Sequence, residues 1–131
     1  MKILILDGQG GKLGSQLVKT ILARFPQADL TAVGTNAAAT SAMVKAGAKK
    51  AATGENCRQA DVILGPIGMV IADSLLGEIT PAMAAAIGQA PGVRILIPVN
   101  RCDNLVAGVG TPSLTALLED AVEKLAALMH P

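Results

Sequence analysis

The residues with the most chemistry to offer lie together near the N-terminus, where Asp7 and Lys12 flank a run of glycines, Asp7-Gly-Gln-Gly-Gly-Lys-Leu-Gly14. Gly8, Gly11 and Gly14 recur every third residue, a G-x-x-G-x-x-G variant of the fingerprint that brings backbone amides up to the phosphates of a nucleotide. In such a turn Gly8 makes the bend, Gly11 lets phosphates approach the backbone, and Gly14 lets the next helix lie against the sheet. Lys12 stands in the first turn of that helix, where a cation opposes the positive end of the helix dipole. A bound anion reverses that sign; a side chain extended into water is the other reading. Asp7 would repel a pyrophosphate, and is read as accepting backbone hydrogen bonds within the turn.

The candidate ligand-binding residues are Gly8, Gln9, Gly10, Gly11, Lys12, Leu13 and Gly14 in this turn, Thr35 and Asn36 after a second strand, and Gly65, Pro66 and Gly68 after a fourth. Where NAD is preferred, an acidic residue usually closes the second strand and binds the ribose. Thr35 and Asn36 are neutral and tolerate a 2′-phosphate, which leans toward NADP or a non-dinucleotide ligand, so the expected cofactor is NADP or NAD. Asn36 also suits the cap of the helix that follows it. Asn100, Arg101 and Asp103 are further polar candidates after the fifth strand. No acid, base and nucleophile fall in register, and the single histidine, His130, lies in a tail. Two cysteines and one histidine do not make a structural zinc site, so Cys57 and Cys102 are read as free thiols.

The elements that must position these groups alternate strand and helix. Ile3 to Leu6 is a continuous apolar run, as expected of a strand covered on both faces. Leu13, Leu17, Val18, Ile21, Leu22 and Phe25 repeat at helical spacing and stop near Pro26. Asp29 to Val33 reads as a second strand, and a helix capped by Asn36 runs to Gly47. Lys49 to Thr53 is a short edge strand, and Gly54 to Ala60 a polar loop or single helical turn. Val62 to Leu64 is the fourth strand, and Met69 to Leu76 reads as a buried helix. Thr80-Pro81 starts another helix with a capping residue and a proline at its first position, and Val93 to Ile97 is a fifth strand. Thr111-Pro112 repeats the capping device before the longest amphipathic helix. Leu105 to Val109 has strand composition, but its link is too short for a parallel crossover, so it pairs antiparallel at an edge or stays loop.

Right-handed crossovers turn this alternation into an α/β fold, a Rossmann-like doubly wound parallel sheet in strand order 3-2-1-4-5, with the flavodoxin-like order 2-1-3-4-5 as the alternative. Order 3-2-1-4-5 sends the Cys57 and Cys102 loops off opposite edges, roughly 19 Å apart, too far for a disulfide.

At 131 residues the chain is read as one domain, too short to add a separate substrate domain. Lys plus Arg number 11 against 10 Asp plus Glu, and Phe25 is the single aromatic, so neither charge nor stacking favours a nucleic-acid partner. No apolar run approaches the ~20 residues that a membrane span needs. With no export signal evident, a cytoplasmic location is expected.

The segment Gly8-Gln-Gly-Gly-Lys-Leu-Gly14 with Ser15-Gln16-Leu17 resembles the nucleotide-binding start of dihydrodipicolinate reductases, which have a basic residue where Lys12 stands. Their substrate domain and histidine-rich catalytic motif have no counterpart here. The whole chain resembles a family of short bacterial proteins of unknown function, common in anaerobic Firmicutes, through Asp7-Gly-Gln-Gly-Gly11, Gly34-Thr-Asn36, Ala39-Thr40, Lys45-Ala-Gly-Ala48, Ala52-Thr-Gly-Glu-Asn56, Gly65-Pro-Ile-Gly68 and Gly77-Glu-Ile-Thr-Pro81. That resemblance implies a Rossmann-like fold without an established activity. The functional expectation is a small nucleotide-binding module that senses or holds its ligand. The alternatives are an enzyme whose site is completed at an oligomer interface, and a structural subunit without ligand. The apolar stretch from Ile67 to Ile79 adds an expected homo-oligomer, with a dimer as the commonest form.

Overall fold

The computed structural model describes residues 1–52, 54–71, 77–99 and 104–130. In chain order the elements are β1 (Lys2–Asp7), α1 (Lys12–Arg24), β2 (Asp29–Gly34), α2 (Ala37–Ala46), β3 (Lys50–Ala51), β4 (Val62–Pro66), α3 (Pro81–Gln89), β5 (Val93–Ile97) and α4 (Leu114–Met129). Short 3-10 segments at Gly54–Gln59 and Ile67–Val70 flank β4. The five strands form one parallel sheet in the order β3-β2-β1-β4-β5.

Strand alternation sorts β1 between two cores. Ile3 and Ile5 pack with Leu17, Val18 and Ile21 of α1 and with Leu118, Val122 and Leu125 of α4. Leu4 and Leu6 face the other way, onto Ile63, Met69, Ile79 and Ile87. Because both faces are covered, every residue of β1 after Lys2 is buried, which is why Ile3 to Leu6 is a continuous apolar run rather than an alternating one. β3, at the edge, has two residues, both exposed.

Helix ends follow their capping residues. Asn36 accepts the Ala39 amide at 2.8 Å to start α2, and Thr80 accepts the Met83 amide at 3.2 Å with Pro81 as the first residue of α3. α4 starts later than Thr111-Pro112 would place it. Ser113 is the cap, accepting the Ala116 amide at 3.1 Å, a contact that a serine makes as well as a threonine.

The other departures are local. Residues 104–110 contain no strand; Val109 N–H bonds to the Val106 carbonyl at 3.2 Å and closes a turn, so the antiparallel edge strand is not formed. Of the helix expected over Met69 to Leu76, Met69 and Val70 lie in the 3-10 turn Ile67–Val70 and Ile71 is extended, while residues 72–76 lie outside the described residues. No described helix is long and apolar enough to cross a membrane.

Candidate functional site

β1 and β2 end in register, Asp7 beside Gly34, and the Thr35 amide donates to the Asp7 carbonyl at 3.0 Å. The loops after these strands therefore leave side by side at the carboxyl edge of the sheet, where ligands of open α/β folds bind. The glycine turn is closed by Gly11 N–H on the Gly8 carbonyl at 2.9 Å. Within it Gln9 adopts φ 49, the one positive φ among described non-glycine residues. That backbone conformation costs a non-glycine residue of order 1–2 kcal/mol, and both polar groups of the residue are held: its N–H by Glu78 and its carbonyl by Asn36.

Gly11 and Gly14 serve the fold. Gly11 has φ 74, and a Cβ there would sit 2.8 Å from the Ala39 carbonyl oxygen, so the space beside it belongs to the start of α2. A Cβ on Gly14 would lie 2.5 Å from Met43 Sδ and 2.9 Å from Asp7 Cβ. α1 thus lies against the end of β1 as the motif requires.

Asp7 is 5% exposed. Its carboxylate accepts the Gly8 amide at 2.8 Å and the Gly14 amide at 2.7 Å, so a side chain from the preceding strand caps α1 and supplies the negative charge that the helix dipole favours. Burial pushes the carboxyl above its ordinary 3.8; the Gly14 and Gly8 amides oppose this, and the charge of Glu78 reinforces it. Lys12 is exposed and begins α1, with no carboxylate partner among the described residues.

Glu78, in the loop before α3, is the residue that sequence reasoning missed. Its Oε2 accepts the Gln9 amide at 2.9 Å, and its Oε1 accepts the Thr35 hydroxyl at 3.1 Å and the Asn36 side-chain amide at 2.7 Å. The Asn36 amide also donates to the Gln9 carbonyl at 2.9 Å. One carboxylate thus joins the turn after β1 to the turn after β2. The signal for it was the Gly77-Glu-Ile-Thr-Pro81 string, where a charged residue precedes a helix cap, but nothing local says that its side chain reaches the glycine turn.

Of the other candidates, Gly65 and Pro66 are the last residues of β4, buried and paired with Leu96 and Ile97, while Gly68 lies in the following 3-10 turn. Asn100, Arg101, Cys102 and Asp103 lie outside the described residues. Cys57 is fully buried, with its thiol pushed above the ordinary 9.0 by that burial. Among the described residues no group of three or more His, Cys, Asp or Glu gathers to hold a metal ion.

The sheet order and the glycine turn define an α/β domain of the Rossmann-like class. Within that class the chain belongs to the family described as "Domain of unknown function (DUF3842)", whose model matches residues 2–130. No functionally curated protein matches it. Among solved structures it is similar to a dodecameric FMN-dependent Ubix-like decarboxylase from Escherichia coli O157:H7, with 12% identity, 100% of this chain and 95% of that one covered, and a TM-score of 0.46. It is also similar to AibC, with 21% identity and a TM-score of 0.48; 96% of this chain aligns to 38% of that one.

The expectation of NADP or NAD is corrected at this point. The similar structure whose description names a cofactor is FMN-dependent, and at that TM-score the flavin stays a property of that protein. In this chain the Gly8 and Gly14 amides are bonded to Asp7, and the Thr35 and Asn36 groups assigned to a ribose are bonded to Glu78. A pyrophosphate at the start of α1 would meet the Asp7 carboxylate.

Proposed function

We propose that the chain is a small-molecule-binding module that takes the anionic end of a nucleotide-like ligand above the carboxyl ends of β1 and β2. The observation that carries this reading is the convergence of three neutral donors from two loops, the Gln9 amide, the Thr35 hydroxyl and the Asn36 side-chain amide, on one carboxylate. Donors arranged around a carboxylate also suit a phosphate. Gly8, Gly10, Gly11, Leu13 and Gly14 shape the turn that carries Gln9, Lys12 adds positive charge at the start of α1, and Gly65 and Pro66 end the neighbouring strand β4, with Gly68 in the turn that follows. The module holds or senses its ligand, and among the described residues no set of groups assigns it a reaction.

The reading includes a homo-oligomer, with a dimer as the commonest symmetry. β5 supports this as an open edge strand, with Val93 49% exposed and a groove of about 450 Å³ between β5 and α4. Sedimentation that finds only monomer at micromolar protein removes this part.

The test of ligand binding is calorimetric titration of AMP, ATP, FMN and inorganic phosphate into wild type and Lys12→Glu, with thermal melts of both. Saturable binding of a phosphate compound, weakened in Lys12→Glu while the melting temperature barely moves, supports the reading. No binding of any probe at millimolar concentration leaves a structural subunit in its place.

A further inference from the structure

We infer that the Glu78 carboxylate is an internal stand-in for the ligand, so that a carboxylate or phosphate group binds to Gln9, Thr35 and Asn36 by displacing it. The inference rests on the proposed function and deepens it by naming both the ligand chemistry and the group that competes with it.

Three features make Glu78 displaceable. Its hydrogen-bond partners among the described residues are all neutral donors, and no lysine or arginine pairs with it there. The nearby Asp7 carboxylate is a like charge, and the electrostatic coupling between the two is unfavourable. Glu78 is only partly buried, whereas Ile79 beside it is fully buried and Thr80 caps α3. The anchor of the segment is therefore separate from the carboxylate. Gly77, on the other side, has φ 84, and among the described residues nothing lies within 4 Å of where a Cβ on it would sit, so the Glu78 side chain can turn outward while Ile79 and α3 stay seated.

The donors are held in place independently of Glu78. Asn36 is fixed by the Ala39 amide and the Gln9 carbonyl, and Gln9 by the closed glycine turn. A ligand anion entering as Glu78 leaves meets the same three donors in a prepared arrangement, which lowers the ordering cost of binding. While Glu78 occupies the donors, the measured affinity is reduced by the fraction of molecules whose site is free.

The experiment compares wild type, Glu78→Ala, Glu78→Gln and Glu78→Ala/Thr35→Val, titrated with AMP, inorganic phosphate and acetate, with thermal melts of each unliganded protein. The phosphate and acetate arms separate a phosphate from a carboxylate preference. The expected result is that both single variants bind at least one probe about tenfold more tightly than wild type, and that Thr35→Val reverses the gain. Glu78→Gln keeps a side-chain oxygen for Thr35 and Asn36 and decides the matter if Glu78→Ala does not fold. If wild type binds and neither folded variant binds more tightly, Glu78 is a structural clasp and the inference falls while the proposed function stands. If no probe binds to wild type or to any variant, the anion site fails and both readings fall.

Discussion

The Asp7 carboxylate accepts the Gly14 amide at 2.7 Å, so the last residue of β1 caps the helix that the glycine turn begins. Replacing it with alanine leaves the Gly8 and Gly14 amides without that acceptor in a buried place. Asp7→Ala is expected to lose about 1–3 kcal/mol of stability, measured by urea unfolding at neutral pH.

The same carboxyl gives a pH signature. Its folded pKa is raised above the ordinary 3.8 by burial, so the folded state holds the proton more tightly than the unfolded chain. Its stabilising contribution is complete below that ordinary value and is lost as pH rises through the raised folded pKa. Asp7→Asn does not titrate, so the stability of wild type relative to Asp7→Asn is expected to fall across that window. Unfolding at a series of pH values reads the difference, and a wild-type stability that rises relative to Asp7→Asn across that window contradicts the assignment.

Much of this architecture was legible because the signals are local. Ile3 to Leu6 had to be covered on both faces, Asn36 and Thr80-Pro81 announced helix starts, and the chain order of strands and helices led to β3-β2-β1-β4-β5. The Asp7 contacts were also accessible, since a carboxylate at the edge of a glycine turn has backbone amides within reach. Ser113 rather than Thr111 capped α4 because neighbouring hydroxyl residues serve equally well. Glu78 was not legible: its bonds to Gln9 and Asn36 depend on how α3 and its leading loop pack across the sheet, and no periodicity encodes that.

The glycines divide into those that the packing requires and those that it does not. Gly11→Ala must combine a positive φ with a methyl group 2.8 Å from the Ala39 carbonyl, and is expected to cost about 2–4 kcal/mol. Gly10→Ala meets nothing within 4 Å among the described residues and is expected to change stability by about 0.5 kcal/mol or less. Equal effects at the two positions in thermal or urea unfolding would contradict the placement of the turn against α2.

Cys57 is expected to resist alkylation in the native protein, because its thiol is fully buried and its pKa is raised by burial. Peptide mapping after iodoacetamide treatment, with and without urea, should show Cys57 modified only in the unfolded chain. Rapid labelling under native conditions would place it at the surface.

The most direct test of the anion site follows individual amides during a titration of 15N-labelled wild type with AMP. The backbone amide of Gln9 and the side-chain amide of Asn36 are expected to shift together and saturate along one curve, because the ligand replaces the carboxylate that both now contact. Saturable shifts confined to the groove between β5 and α4, or no shifts at millimolar AMP, would contradict the account.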